Sequence, residues 1–267
     1  MTNKNFKPKK KRSNTKVSKK PEYKHKSLQQ PTEQTEATRL NKYIANSGVC
    51  SRREADKLIE KGEITVDGKV VKEMGYQVQP GQVVLHEKNV LKPEKQVYVL
   101  LNKPKGFIST TSDPEGRKTV MDLVAKACPE QIFPVGRLDR GTTGLLLFTN
   151  DGQLSKKLTQ PKHQIKKIYQ VSLNKPITQS DFNQILEGLT LEDGKVTVDD
   201  LAIVDGDNTT LGIEIHLGKN RVVRRIFEHL GYTVEKLDRV VYGGLTKKDL
   251  PRGKWRFLTE KEVLWIK

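Results

Sequence analysis

The chain of 267 residues carries 49 Lys+Arg against 32 Asp+Glu, a net charge of +17, and only 34% of its residues are apolar. That length fits one large domain or a medium domain with a smaller companion, and so low an apolar fraction means that part of the chain cannot bury itself. With no run of 18 apolar residues, two cysteines (Cys50, Cys128) and five scattered histidines, no membrane span, secretory signal, disulfide framework or metal site is expected, and a reducing cytoplasm is the natural setting.

Residues 1–37 hold 11 Lys+Arg, 3 Asp+Glu and almost no aliphatic side chains, which predicts a disordered basic arm able to screen phosphates. The rest of the chain still carries 38 basic and 29 acidic residues. The folded part is therefore basic in its own right and expects a polyanion, most commonly nucleic acid. Leu40, Tyr43 and Ile44 recur at helical spacing, and Gly48 breaks that helix. Ser51 and Glu54 form a capping box for a second helix with Ala55, Leu58 and Ile59 on its apolar face and Gly62 at its end. Asp67-Gly68 between two alternating segments predicts a type I′ hairpin, and "VQPGQVVLH" a further strand. Arg39, Lys42, Arg52, Arg53 and Lys57 cluster about the second helix. Arg52 and Arg53 sit in its first turn, where the macrodipole disfavours cations, so phosphate contact is expected rather than a plain solvated face.

A linker at 87–96 closes this unit (38–96) and leads to a larger domain, 97–267. "VYVLLNKPKG" reads as a central strand covered on both faces. A short helix "TVMDLVAKA" follows, then strands "IFPVGRLD" and "TGLLLFTND", helix "QLSKKL", strand "KKIYQVSL" and helix "TQSDFNQILEGL". Strands "KVTVDDLAIV" and "LGIEIHL", helix "NRVVRRIFEHLG", strand "TVEKLDRVVYG" and a last strand and Thr259-capped helix complete the chain. Strands dominate without regular βαβ alternation, so an α+β domain is expected, with a mixed, largely antiparallel sheet flanked by helices.

Within "PVGRLDRGTTGLLLFTND" (134–151), Asp139 occupies a small-residue turn beside buried strands. Either it bonds its own backbone in an Asx turn, or a buried carboxylate there needs a cationic partner.

"RLNKYIANSGVCSRREADKLIEKGEITVDGKVV" resembles an S4 RNA-binding domain. "PVGRLDRGTTGLLLFTNDG", "LLNKPKGFISTTSDPEGRKTVMD", "KKIYQVSL" and "GKNRVVRRIFEHLGYTVEKLDRVVYGGL" resemble, in family order, the RsuA/RluB family of pseudouridine synthases. "DPEGRKTV" and "LPRGKWRFLT" are most similar to the branch that modifies large-subunit (23S) rRNA. The resemblance implies an isomerase that turns a uridine of ribosomal RNA into pseudouridine without a cofactor, on free RNA or an assembling particle. It gives Asp139 the role of nucleophile on a flipped-out uridine, attacking C1′ or C6. Tyr169 would stack on the uracil and help remove the C5 proton. Arg224 would pair with Asp139. Arg137 would fill the space left by the base or hold a phosphate, with Thr142, Thr143 and the glycines 141 and 144 making room for RNA. Lys219 and Arg221 replace the Arg and His of the superfamily's usual "GRxHQIR", which leaves their RNA contacts open. A monomer is expected. The alternatives are an S4-domain ribosome-assembly factor without catalysis, or a synthase acting on 16S rRNA.

Overall fold

The computed structural model describes residues 36–204 and 206–267, so the expected basic arm lies, except for its last two residues, outside the described residues. The first unit comprises β1 (Thr38–Arg39), α1 (Leu40–Asn46), α2 (Arg52–Lys61), β2 (Ile64–Val66), β3 (Lys69–Val70), β4 (Gln77–Val78), β5 (Val84–His86) and β6 (Asn89–Val90). Local chemistry sets its ends. Ser51 Oγ accepts Glu54 N at 3.3 Å and Glu54 Oε2 accepts Ser51 N at 2.8 Å, the reciprocal capping box, and Gly62 closes α2 at φ +78°. Leu40 and Ile44 of α1 pack on Ala55 and Ile59 of α2 and on Ile64, Val66 and Val84 of a four-stranded sheet ordered β3-β2-β5-β6. Asp67 (φ +50°) and Gly68 (φ +77°) make the β2–β3 turn, as the Asp-Gly pair requires.

The second unit comprises β7 (Tyr98–Lys103), α3 (Val120–Val124), β8 (Phe133–Pro134), β9 (Thr143–Thr149), α4 (Gly152–Thr159), β10 (Lys167–Leu173), α5 (Gln179–Glu187), β11 (Leu189–Leu191), β12 (Gly194–Val196), β13 (Asp200–Ile203), β14 (Thr210–Ile215), α6 (Val222–His229), β15 (Val234–Tyr242), β16 (Leu245–Thr246), β17 (Trp255–Phe257) and α7 (Glu260–Ile266). The main sheet runs β13-β14-β10-β15-β9-β7-β17. Every pairing along it is antiparallel except β15 with β9, so the sheet is mixed, as expected. Alternation divides its side chains between two cores. Val99, Leu101, Leu146 and Phe148 face α3, α5 and α6, whereas Leu100, Leu145 and Leu147 face α4 and α7. Cover on both faces explains why β7 and β9 read as continuous apolar runs.

Two expected strands differ. "IFPVGRLD" is a strand only at Phe133–Pro134, because Gly136 turns the chain at φ +72° and Arg137–Asp139 follow an irregular path. "KVTVDDLAIV" divides into β12 and β13. Gly194 at φ +102° folds β12 back on β11 as a separate hairpin, and only β13 joins the main sheet.

Candidate active site

A buried lysine sets the path of the turn that carries Asp139. Lys103, at the end of β7, is fully buried, and its Nζ donates to the carbonyls of Thr142 (2.8 Å), Asp139 (3.0 Å) and Pro104 (3.3 Å). Burial pushes its pKa down to about 8, with the nearby Asp139 opposing and Arg252 adding to the fall. Thr142 N returns to Asp139 O at 3.0 Å. Ser109 Oγ bridges the backbone of Leu138, accepting from its N–H at 3.1 Å and donating to its carbonyl at 2.8 Å. Leu138 plugs into the core. The loop thus replaces strand hydrogen bonds with side-chain ones, as a buried irregular backbone must.

The carboxylate of Asp139 is 42% exposed at the edge of a cavity of about 260 Å³. Among the described residues, five cations (Arg137, Lys167, Lys219, Arg221 and Arg239) and one acid, Asp139 itself, line it. So strong an excess of cations concentrates polyanions. The geometry corrects the expected pairing. Arg221, not Arg224, is the ion partner of Asp139, with Nη1 at 3.8 Å from Oδ2. Helix α6 begins only at Val222, and Arg221 precedes it in the left-handed conformation (φ +47°). Arg224, one turn into the helix, donates through Nη1 to Val234 O at 2.7 Å. Burial and the Arg221 cation lower its pKa, while Asp139 opposes.

Tyr169 and Thr142 line the same cavity and are buried. Thr143 does not line it. Its hydroxyl is held by Asp238 Oδ1 at 2.7 Å and Leu237 O at 3.2 Å. Gly144 (φ +107°) admits β15 rather than RNA, since a Cβ there would fall 2.3 Å from Arg239 O. Lys219 lines the cavity, but its Nζ donates to Asp193 O at 2.8 Å. Arg225, further along α6, pairs with the Asp193 carboxylate at 2.9 Å. On the first unit Arg39, Arg52, Arg53 and Lys57 are exposed and Lys42 half-buried, and none of the five makes an ion pair with a described residue. None of them lines the cavity. Among the described residues no group of three His, Cys, Asp or Glu is placed to hold a metal ion.

Sequence reasoning missed Lys103, Lys167, Arg239 and Tyr242. A lysine closing the apolar run "YVLLNK" was a legible signal, because lysine is almost never fully buried without partners.

The chain as a whole is similar to known proteins. The family described as RNA pseudouridylate synthase matches residues 97–229, and the S4 domain matches residues 38–84. The ribosomal large subunit pseudouridine synthase B of Bacillus subtilis (strain 168) is 44% identical over 232 residues, which cover 84% of this chain and 93% of that one. The dual-specificity RNA pseudouridine synthase RluF of Escherichia coli (strain K12) is 38% identical over 231 residues, covering 85% and 78%. A pseudouridylate synthase crystal structure superposes with a TM-score of 0.62 at 30% identity, covering 86% of this chain and 99% of that one.

Proposed function

This chain belongs to the RNA pseudouridylate synthase family, with an S4 domain ahead of the synthase domain, and from that premise we propose that it isomerises a uridine of large-subunit ribosomal RNA with Asp139 as nucleophile. A pseudouridine synthase is an isomerase, so the chain is an enzyme and not a bare S4-domain binder. The observation that carries the reading of the site is the lone carboxylate at a cationic cavity beside Tyr169. An Asp carboxylate can form a covalent intermediate. Its Oδ attacks C1′ and the C1′–N1 bond breaks with its electron pair on the base. The base turns, C5 bonds to C1′ as the carboxylate leaves, the C5 proton is lost and N1 gains one, so that atoms and charge balance. Addition of the same oxygen to C6 is the other route and uses the same residues. Arg221, with Nη1 3.8 Å from Oδ2, is the cation that faces the carboxylate. Tyr169, buried on β10, is the residue to stack on the uracil and take part in the C5 proton transfer. Arg137, exposed at the rim, is placed to meet phosphate. No electrons pass to or from a carrier, so the reaction calls on no cofactor.

The name of the Bacillus subtilis relative supports the large subunit as target. The reading extends to a monomer in the cytoplasm, acting on free RNA or on an assembling particle. Release of tritium from C5-labelled uridine tests it, with transcripts of both rRNAs and undermodified particles in parallel. Release from large-subunit RNA alone is expected. Release from small-subunit RNA alone moves the target, and no release from transcripts or particles defeats the proposal.

The S4 cations supply a separable part of the affinity. Arg53 and Lys57 lie four residues apart on α2, exposed and on one face. Replacing both by Ala is expected to weaken RNA binding and to lower the slope of log K against log salt by about 2, while turnover at saturating RNA is unchanged. Binding measured across a salt series checks this, and an unaltered slope removes this face from the RNA interface.

A further inference from the structure

The floor of the cavity holds charge that the nucleophile does not use. In the β10–β15 register Lys167 faces Tyr242, Ile168 faces Val241 and Tyr169 faces Arg239, which leaves Val240 as an extra residue. It is a β-bulge. Residues 239 and 242 are three apart and would point to opposite faces of a regular strand. The bulge brings both to the face occupied by their partners Tyr169 and Lys167, and all four line the cavity.

Arg239 is 3% exposed. Its Nε donates to Leu145 O at 2.8 Å, and its guanidinium carbon stacks 4.3 Å above the Tyr242 ring. Its Nη2 is buried with no partner among the described residues, and Thr142 Oγ1 of the same cavity shares that condition. Buried polar atoms are nearly always hydrogen-bonded, so two orphans in one cavity indicate where a ligand completes the set. Lys167 Nζ donates to His216 O at 2.7 Å and keeps two further N–H groups. Burial and the Arg239 cation push its pKa down to about 8, with Asp199 opposing.

We infer that Arg239 and Lys167 hold the carbonyl oxygens of the target uracil and take up the negative charge that the base acquires during the reaction. The inference rests on the proposed reading of Asp139 as nucleophile. Cleavage of C1′–N1 leaves the bonding pair on the base, spread over N1, O2 and O4. Addition to C6 instead places it on O4. Either route calls for cations fixed in place before the charge develops. The walls favour a base over a phosphate at this depth, because Tyr169, Tyr242, Ile215 and Leu237 are apolar or aromatic and buried. A phosphate is better met by the more exposed Arg137 and Arg221 at the rim.

The test compares uridine with 5-fluorouridine at the target position of the RNA, following consumption of the nucleoside in a single turnover by chromatography. Fluorine draws charge out of the ring and so lessens the need for a cation. Lys167→Met is expected to slow uridine consumption about 10²- to 10³-fold with RNA affinity within about threefold of wild type. On 5-fluorouridine its loss is at least about tenfold smaller. Arg239→Lys keeps a charge in the buried position and shows the same pattern with a smaller loss. Equal losses on the two nucleosides in both variants, or a fall in affinity that matches the fall in rate, overturn the inference while leaving the functional reading intact. A wild-type protein that consumes neither nucleoside in any rRNA defeats both.

Discussion

Asp139→Ala releases no tritium above background from any transcript, a loss of at least about 10⁴-fold, while its RNA affinity stays within about threefold of wild type. The large effect on rate follows from chemistry. Among the described residues no other carboxylate lines the cavity, so none of them can take over a covalent role. The small effect on binding follows from electrostatics. Removing the one acid among five lining cations leaves the cleft more attractive to phosphate. Stability changes little, since the carboxylate's ion pair is a 3.8 Å contact between side chains 42% and 46% exposed, and such pairs contribute about 0–1 kcal/mol. The backbone carbonyl of Asp139 keeps its bonds to Lys103 and Thr142 in the variant. Asp139→Asn retains the shape and loses the charge, and the same loss of rate is expected of it. Tritium release by Asp139→Ala at more than about a hundredth of the wild-type rate shows that another group performs the attack.

What could be foreseen from sequence was local or strongly patterned. The capping box of α2 is set by Ser51 and Glu54, three residues apart, and needs no tertiary contact to be recognised. The strands β7 and β9 are foreseen because burial on both faces removes every polar residue but those at their ends. What could not be foreseen depends on chain that arrives from elsewhere. The irregular path at Arg137–Asp139 is held by Ser109 and Lys103, about 30 residues earlier, and no local pattern distinguishes it from a strand. The resemblance gave the pairing with Asp139 to Arg224, and "NRVVRR" reads as a helix already running at Asn220. The helix starts two residues later, and Arg221 takes that place from a left-handed backbone. Gly144 was read as space for RNA because its true neighbour, β15, lies some 95 residues away. The bulge at Val240 exists only in the pairing of two strands, so the face that Arg239 presents cannot be inferred from β15 alone.

Lys103→Met is expected to cut the single-turnover rate about 10²-fold with RNA affinity nearly unchanged, and to destabilise the protein by an amount that grows with pH. The first effect arises because two of the three carbonyls held by Nζ belong to the turn that aims Asp139, and a displacement of about 1 Å there suffices for such a loss. For stability two terms oppose. The variant takes the Lys103 donor from the buried Thr142 carbonyl, a cost of about 1–3 kcal/mol, and from the half-buried Pro104 carbonyl, which water can reach. It also relieves the wild type of an ammonium in a fully buried site, which is why the folded pKa falls to about 8 from 10.5. In the window between those values the unfolded wild-type chain holds this proton and the folded chain does not, so Lys103 by itself adds about 1.4 kcal/mol per pH unit to wild-type stability. Lys103→Met lacks that group and every other titrating residue is common to both proteins. The gap in stability between them is therefore smallest at pH 7 and widens from about pH 8 to about pH 10. Denaturant midpoints of the two proteins across that range measure it. A constant gap means that the ammonium carries no desolvation cost in the fold, and a narrowing gap means that the charged form, not the neutral amine, is what the three carbonyls require.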